Sequence, residues 1–167
     1  MNIFRSFVIL ALIAATVSFL GCGGKTGSQN NAGSSNRAAN VNGAAKNKAN
    51  DNAEELGMLI NLQTEPEDLV WKVDEKKKML IAVMRYAPAD AGKLSNQLTA
   101  RSAGAPREIS TEEWFPAELI AQGESGGNAA VEGTSFTADD FFQPPYTEGT
   151  ITRINGTDFF VLELNAK

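Results

Sequence analysis

The chain has 167 residues, with 15 basic and 20 acidic side chains, no histidine and one cysteine. These counts exclude Ser-His-Asp and Cys-His nucleophilic sites, zinc sites built from His and Cys, and haem held by either residue. A lone cysteine also excludes an intramolecular disulfide.

The first segment of the chain has the layout of a secretory signal. Arg5 is the only charged residue before Lys25, and Ser6–Leu20 is an uncharged, mostly apolar run of fifteen residues. A membrane-crossing helix needs about 20 apolar residues, so an uncleaved anchor would have to include residues 21–24 as well. The pattern therefore favours a signal peptide over residues 1–21 that is removed.

Four residues at the end of this run, Phe19-Leu20-Gly21-Cys22, resemble the lipobox of bacterial lipoproteins. The resemblance implies cleavage before Cys22, which would then carry a diacylglyceryl group and fatty acyl chains such as palmitate. Two or three chains give stable anchoring, whereas one chain binds a membrane only marginally. By analogy with lipoprotein sorting, Gly23 in place of aspartate favours the outer membrane. Ordinary cleavage after Gly23 stays open as an alternative and would leave a soluble protein.

Residues 22–53 are rich in Asn, Gly, Ala, Ser and Lys, and Val41 is their only large aliphatic residue. This composition cannot bury enough apolar surface to offset the entropy of ordering, so a disordered linker is predicted. A coil of about 30 residues spans about 30 Å. The linker has a net charge of +3 and residues 54–167 a net charge of −9. An acidic domain held away from a membrane is unsuited to binding nucleic acid.

Residues 54–167 are predicted to form a single domain. Met58–Leu62 is too short for its periodicity to distinguish a strand from a helical turn. Leu69–Asp74 is predicted to be a strand because its apolar residues alternate, and Met79–Tyr86 is predicted to be a mid-sheet strand because it is almost continuously apolar. A helix is predicted over Pro88–Arg101, with proline at its first position and apolar residues along one face.

The region after this helix is predicted to be mostly irregular. One short helix is expected within Trp114–Gln122, and the glycine-rich stretch Gly123–Gly133 should end it and form a mobile loop. The last element is a hairpin, because Asn155-Gly156 lies between two β-rich runs and favours a type I′ turn. The implied register pairs Ile151 with Phe160.

Taken together, these elements predict an α+β fold in which an antiparallel sheet of about four strands carries one main helix on one face. Aromatic residues in the irregular segments are candidates for an interaction surface, because exposed aromatic side chains in loops often anchor partners. These candidates are Trp114, Phe115, Phe142 and Tyr146.

The leading functional hypothesis is a lipid-anchored, non-enzymatic protein of the cell envelope that binds an envelope protein or a polysaccharide. It names no catalytic, metal-binding or cofactor-binding residue, no cofactor and no oligomeric state. A carboxylate-dependent hydrolase of cell-wall polymer is the alternative from another class, although the adjacent pairs Glu112-Glu113 and Asp139-Asp140 would not face each other on a helix. A surface spacer with no binding role is the third possibility.

Overall fold

The computed structural model describes residues 49–167, and its main element is a single antiparallel sheet. The strands are β1 (Asp68–Asp74), β2 (Met79–Arg85), β3 (Ala105–Ser110), β4 (Ala130–Thr137), β5 (Tyr146–Ile154) and β6 (Phe159–Ala166). They lie in the order β1-β2-β6-β5-β4-β3. The α+β class is confirmed, but the sheet has six strands rather than about four. The predicted signal peptide, Cys22 and nearly all of the linker lie outside the described residues.

One helix precedes β1, two others connect strands, and a 3₁₀ turn precedes β5. The helices are α1 (Ala53–Leu59), α2 (Pro88–Arg101) and α3 (Ala117–Ser125), and the turn is Asp139–Phe141. No helix within residues 49–167 has the length and apolar character that spanning a bilayer would require. The predicted helix is confirmed as α2, which starts with proline at its first position and buries Ala91 and Leu98.

The helix α1 resolves the ambiguity at Met58–Leu62. Asn52 caps this helix, since its Oδ1 accepts the backbone N–H groups of Glu54 at 2.9 Å and Glu55 at 3.1 Å. Leu56 and Ile60 are both fully buried on the sheet. The ambiguous segment is therefore the end of a helix and the extended chain that follows it, rather than a strand.

The sheet separates two apolar clusters. The first face is covered by α1, α2 and the 3₁₀ turn, and the second face by α3. Alternation along β6 supplies both clusters, because successive side chains of a strand point to opposite faces. The buried residues of β6 on the first face are Phe160, Leu162 and Leu164, and those on the second face are Phe159 and Val161.

The region predicted to be mostly irregular contains two strands and a longer helix. β3 and β4 form one edge of the sheet, so of the stretch predicted to be a loop only residues 126–129 connect α3 to β4. Gly123 lies inside α3 instead of ending it, and it is buried. A Cβ at this position would stand 3.0 Å from the backbone nitrogen of Ala130. Close packing of α3 on β4, rather than helix termination, explains this glycine.

The final hairpin is confirmed as the pair β5–β6, but its register is shifted by two residues. Ile151 pairs with Leu162 instead of Phe160. The connecting loop has four residues, 155–158, and only Gly156 among them has a positive φ, of 74°. The expected type I′ turn, which needs two positive φ angles, is therefore wrong. A shift of two residues keeps every side chain on its face, so the predicted apolar face of β6 holds.

We predict that Gly149→Ala lowers the free energy of unfolding by about 2–3 kcal/mol. Gly149 has a φ of 155°, and a Cβ there would overlap the carbonyl oxygen of Glu163 on the paired strand. Gly92→Ala is the matched control in α2, where a Cβ meets nothing within 4 Å. Alanine is the better helix former by roughly 0.5–1 kcal/mol, so the control should be stabilised. Urea unfolding followed by circular dichroism measures both, and a similar effect of the two substitutions would contradict the packing described for β5.

Candidate functional site

The candidate site is the part of the second sheet face that α3 does not cover. Four neighbouring strands each place one half-buried side chain there, at matched register positions. These residues, here named the cross-strand row, are Lys72 on β1, Ile81 on β2, Glu163 on β6 and Thr150 on β5. Three interstrand spacings give the row a length of about 14 Å. It combines an apolar side chain with groups of both charges.

Arg107 reaches this row from β3, across the intervening strand β4. Its Nη1 donates a hydrogen bond of 2.6 Å to Thr150 Oγ1, and its Nη2 lies 2.7 Å from Glu163 Oε2. The backbone partner of Arg107 on β4 is Gly133. A Cβ at Gly133 would overlap the carbonyl oxygen of Arg153, so β4 and β5 can approach closely only with glycine there. The guanidinium group is thus fixed above the sheet by an ion pair and a hydrogen bond.

Two buried polar atoms on the second face of the sheet have no hydrogen-bond partner among the described residues. Thr152 Oγ1 is buried and makes no hydrogen bond within residues 49–167. Glu163 Oε2 contacts Arg107, but the contact does not have the geometry of a directed hydrogen bond. This oxygen is itself buried, so its remaining acceptor capacity is not open to a ligand.

Trp114 borders the row at its β1 end and is held there by three contacts. Its Nε1 donates a hydrogen bond of 2.6 Å to a carboxylate oxygen of Glu112. Lys72 Nζ lies 5.8 Å from the centroid of the indole ring, a distance at which a cation is attracted to the ring. Phe115 meets the indole edge-on, with ring centroids 4.7 Å apart. The result is an aromatic side chain that is half-buried and positioned beside charged groups.

The four aromatic candidates do not form one surface. Trp114 and Phe115 pack on the second face of the sheet, whereas Phe142 and Tyr146 pack on the first. Phe115 and Tyr146 are only 6% and 5% exposed, so both are core residues and neither is available for contact with a partner. Phe142 is half-buried beside the 3₁₀ turn. Of the four, only Trp114 lies next to the cross-strand row.

The charged residues of the site were not candidates from sequence, although two of them carried a signal. Lys72 follows Trp71 in β1, and Glu163 follows Leu162 in β6. Because successive side chains of a strand point to opposite faces, Lys72 and Glu163 point away from the apolar first face of the sheet. Arg107 carried no such signal, because β3 was not predicted at all.

A separate small cleft lies between α2 and the segment Gln63–Thr64. Its volume is about 70 Å³, and Tyr86 and Phe141 contribute aromatic surface to it. Pockets for small molecules usually have volumes of about 300–1,000 Å³. The Tyr86 hydroxyl donates to the thioether sulfur of Met84 at 3.4 Å, which is a weak acceptor. This cleft is too small for a substrate of ordinary size.

Another concavity, of about 220 Å³, brings two carboxylates together at the sheet edge. Glu108 and Glu132 are directly opposed across β3 and β4, and both are exposed. The acids considered from the sequence lie elsewhere, and two of them have partners: Glu112 accepts from the indole of Trp114, and Asp140 contacts Arg101. Within residues 49–167 there is no group of three or more acidic, Cys or His side chains arranged to hold a metal ion.

Comparison with known proteins does not narrow the role of this surface. The chain matches no family model, no curated protein and no solved structure. A function for the domain therefore rests on the geometry of the cross-strand row, Arg107 and Trp114.

The two tyrosines should resist ionisation for as long as the domain stays folded. Burial raises the pKa of both Tyr86 and Tyr146 above the ordinary value of 10.0. Because the fold favours the neutral phenol, the raised pKa values of the tyrosines stabilise the folded domain fully below pH 10. This stabilisation is lost as the pH rises further. The chain has only these two tyrosines, so near-ultraviolet phenolate absorbance reports on them alone. Phenolate formation near pH 10 with unchanged circular dichroism would contradict their burial.

Proposed function

We propose that this chain is a lipid-anchored protein of the cell envelope, attached through Cys22, and that its domain is a non-enzymatic binding module. The observation that carries the binding role is the incompletely covered second face of the sheet. There the cross-strand row, Arg107 and Trp114 form one accessible surface. The proposed partner is another envelope component, either a protein or a polysaccharide.

The composition of this surface suits a partner that offers both apolar and hydrogen-bonding groups. Trp and Arg are the residues most often found at the energetic centres of binding interfaces. Ile81 and Trp114 supply apolar surface, and Arg107, held by Glu163 and Thr150, supplies hydrogen-bond donors in a fixed arrangement. A row of about 14 Å also matches an extended chain of several residues or sugars better than a single small ion.

The anchor is proposed on the N-terminal sequence. The uncharged run Ser6–Leu20 and the lipobox-like residues before Cys22 support export followed by lipidation. Lipidation would place the domain in the envelope, and Gly23 supports the outer membrane as its location. The linker, which ends where Asn50 pairs with β1 rather than at residue 53, would give the domain a reach of about 30 Å from the lipid.

The hydrolase alternative has less support. Glu108 and Glu132 are close enough in register to form a carboxylate pair, but both are exposed at an edge of the sheet. The residues around them include amides and glycine and no aromatic side chain on which a sugar could stack. The cross-strand row presents a more specific combination of groups, so we place function there.

Cys22→Ala should abolish both lipid labelling and membrane association. Cells grown with a clickable palmitate analogue report the first, and fractionation of the envelope reports the second. Because Cys22 is the only cysteine, no other thiol in the chain can replace it. Lys25→Ala serves as the control, since it removes a nearby charge and leaves the lipobox-like residues intact. Labelling that survives Cys22→Ala would rule out the anchor.

For the binding role, Trp114→Ala should weaken capture of the envelope partner by about thirtyfold, the effect expected for an interface hot spot. Glu163→Gln, which keeps the shape of the side chain and removes its charge, should also weaken binding. Met58→Ala is the control, because Met58 is 73% exposed on α1, the helix that packs on the first face. Capture from envelope extracts with the mature lipidated protein provides the measurement, and circular dichroism confirms folding of each variant. Unchanged capture by folded Trp114→Ala and Glu163→Gln would remove this face from consideration.

A further inference from the structure

Positive charge is concentrated at one end of an otherwise acidic domain. We define the basic tip as Lys72–Lys78, Glu148 and Lys167, which contain five basic and three acidic residues and a net charge of +2. The other described residues include five basic and seventeen acidic side chains, for a net charge of −12. The basic tip therefore carries positive charge, whereas the rest of the described domain is strongly acidic.

The basic tip is a defined structure around the β1–β2 turn. Asp74 Oδ1 accepts the backbone N–H groups of Lys76 at 3.0 Å and Lys77 at 3.1 Å, and these bonds lower the pKa of Asp74. Lys78 has a φ of 52°, a backbone conformation that favours Gly or Asn over Lys. Its carbonyl oxygen accepts the N–H of Ala166 at 2.8 Å, which brings Lys167 beside the turn. The turn thus presents its lysines in a fixed backbone frame.

The chain from the N-terminus joins the sheet at the same end. Asn50 and Trp71 exchange two backbone hydrogen bonds of 2.8 Å as an antiparallel bridge on the outer edge of β1. In an antiparallel pair the residue before one partner lies beside the residue after the other. Ala49 is therefore on the side of Asp74, and only about 10 Å of strand separates the bridge from the turn. The path towards Cys22 starts beside the basic tip.

We propose that the basic tip contacts an anionic lipid surface when the chain is anchored through Cys22, an inference that rests on the anchor of the proposed function. Attraction of the tip and repulsion of the acidic remainder act in the same direction on a domain next to a negative bilayer. Lys46 and Lys48 come shortly before Ala49 in the sequence and bring two further positive charges.

A second feature of the tip favours a lipid surface over a soluble anionic polymer. Val73 is 39% exposed, and within residues 49–167 only it and Met58 are large hydrophobic residues with substantial exposure. It lies in β1 directly before Asp74, next to the lysines of the turn. An apolar side chain beside lysines matches the boundary between headgroups and acyl chains, where amphipathic segments bind.

Two lysines provide a matched pair for testing the orientation. Lys77 in the tip and Lys93 in α2 have side-chain exposures of 71% and 74%, and each forms an ion pair with an aspartate three residues before it. Their reactivity towards an amine-acylating reagent should therefore be similar in solution. A surface that covers only the tip would slow acylation of Lys77 and leave Lys93 unchanged.

The experiment links the mature chain, from Cys22 onward, to vesicles through a maleimide headgroup lipid that reacts with its only thiol. Vesicles of phosphatidylcholine alone are compared with equal mixtures of phosphatidylcholine and phosphatidylglycerol, and acylation is read by mass spectrometry. On the anionic vesicles we expect Lys77 to be acylated roughly fivefold more slowly, the factor that one lysine near an anionic surface contributes. The protection should disappear in high salt and on neutral vesicles. Equal acylation of Lys77 and Lys93 on the anionic vesicles would overturn the proposal.

Charge reversal and a soluble polyanion give two further readouts. In the variant Lys76→Glu with Lys78→Glu, protection of Lys77 on anionic vesicles should be lost while Lys93 stays unchanged. Dextran sulfate in solution should protect Lys77 much less than the bilayer does, and equal protection would overturn the assignment to lipid. The maleimide link replaces cellular lipidation, so a failure of palmitate labelling contradicts the anchor alone and a failure of the footprint contradicts the basic tip alone.

Discussion

The insertion of β6 between β2 and β5 is the constraint on which the rest of the structure depends. β6 is the last strand in the chain, yet it pairs with β2 on one side and β5 on the other. Among the described strands, β1 and β2 have no direct pairing with β3, β4 and β5, so only β6 joins the two groups. Five of its eight residues are buried. The sheet and both apolar clusters are therefore complete only when the C-terminal strand is in place.

The candidate site is a consequence of this central strand. On its first face β6 is apolar throughout the buried part, whereas on the second face Phe159 and Val161 are followed by Glu163. A carboxylate in a central strand needs a compensating charge. Arg107 supplies it from the far edge of the sheet, across the position where Gly133 has no side chain. The same residues that satisfy Glu163 form the polar part of the proposed binding surface.

The elements predicted from sequence are those whose pattern is local. β1, β2, α2 and the β5–β6 hairpin have strong apolar periodicity or a proline and turn signal at their ends, and all are confirmed. β3 contains Pro106 and mostly exposed residues, as edge strands often do, and therefore lacks an apolar pattern. β4 includes Gly133, which is explained by its close contact with the neighbouring strand rather than by a need for flexibility. Both strands, and with them Arg107, are recognisable only after their partners are known.

Lys72 connects the proposed binding face with the proposed orientation of the domain. It belongs to the basic tip and to the cross-strand row, and its ammonium group lies near the ring of Trp114. A tip that contacts lipid would therefore place the row close to the bilayer, so a partner would bind close to the membrane surface. Lipid chains would set how long the protein stays on the membrane, whereas screened charges would set only its orientation. Raising the ionic strength should then release the orientation and leave the anchoring unchanged.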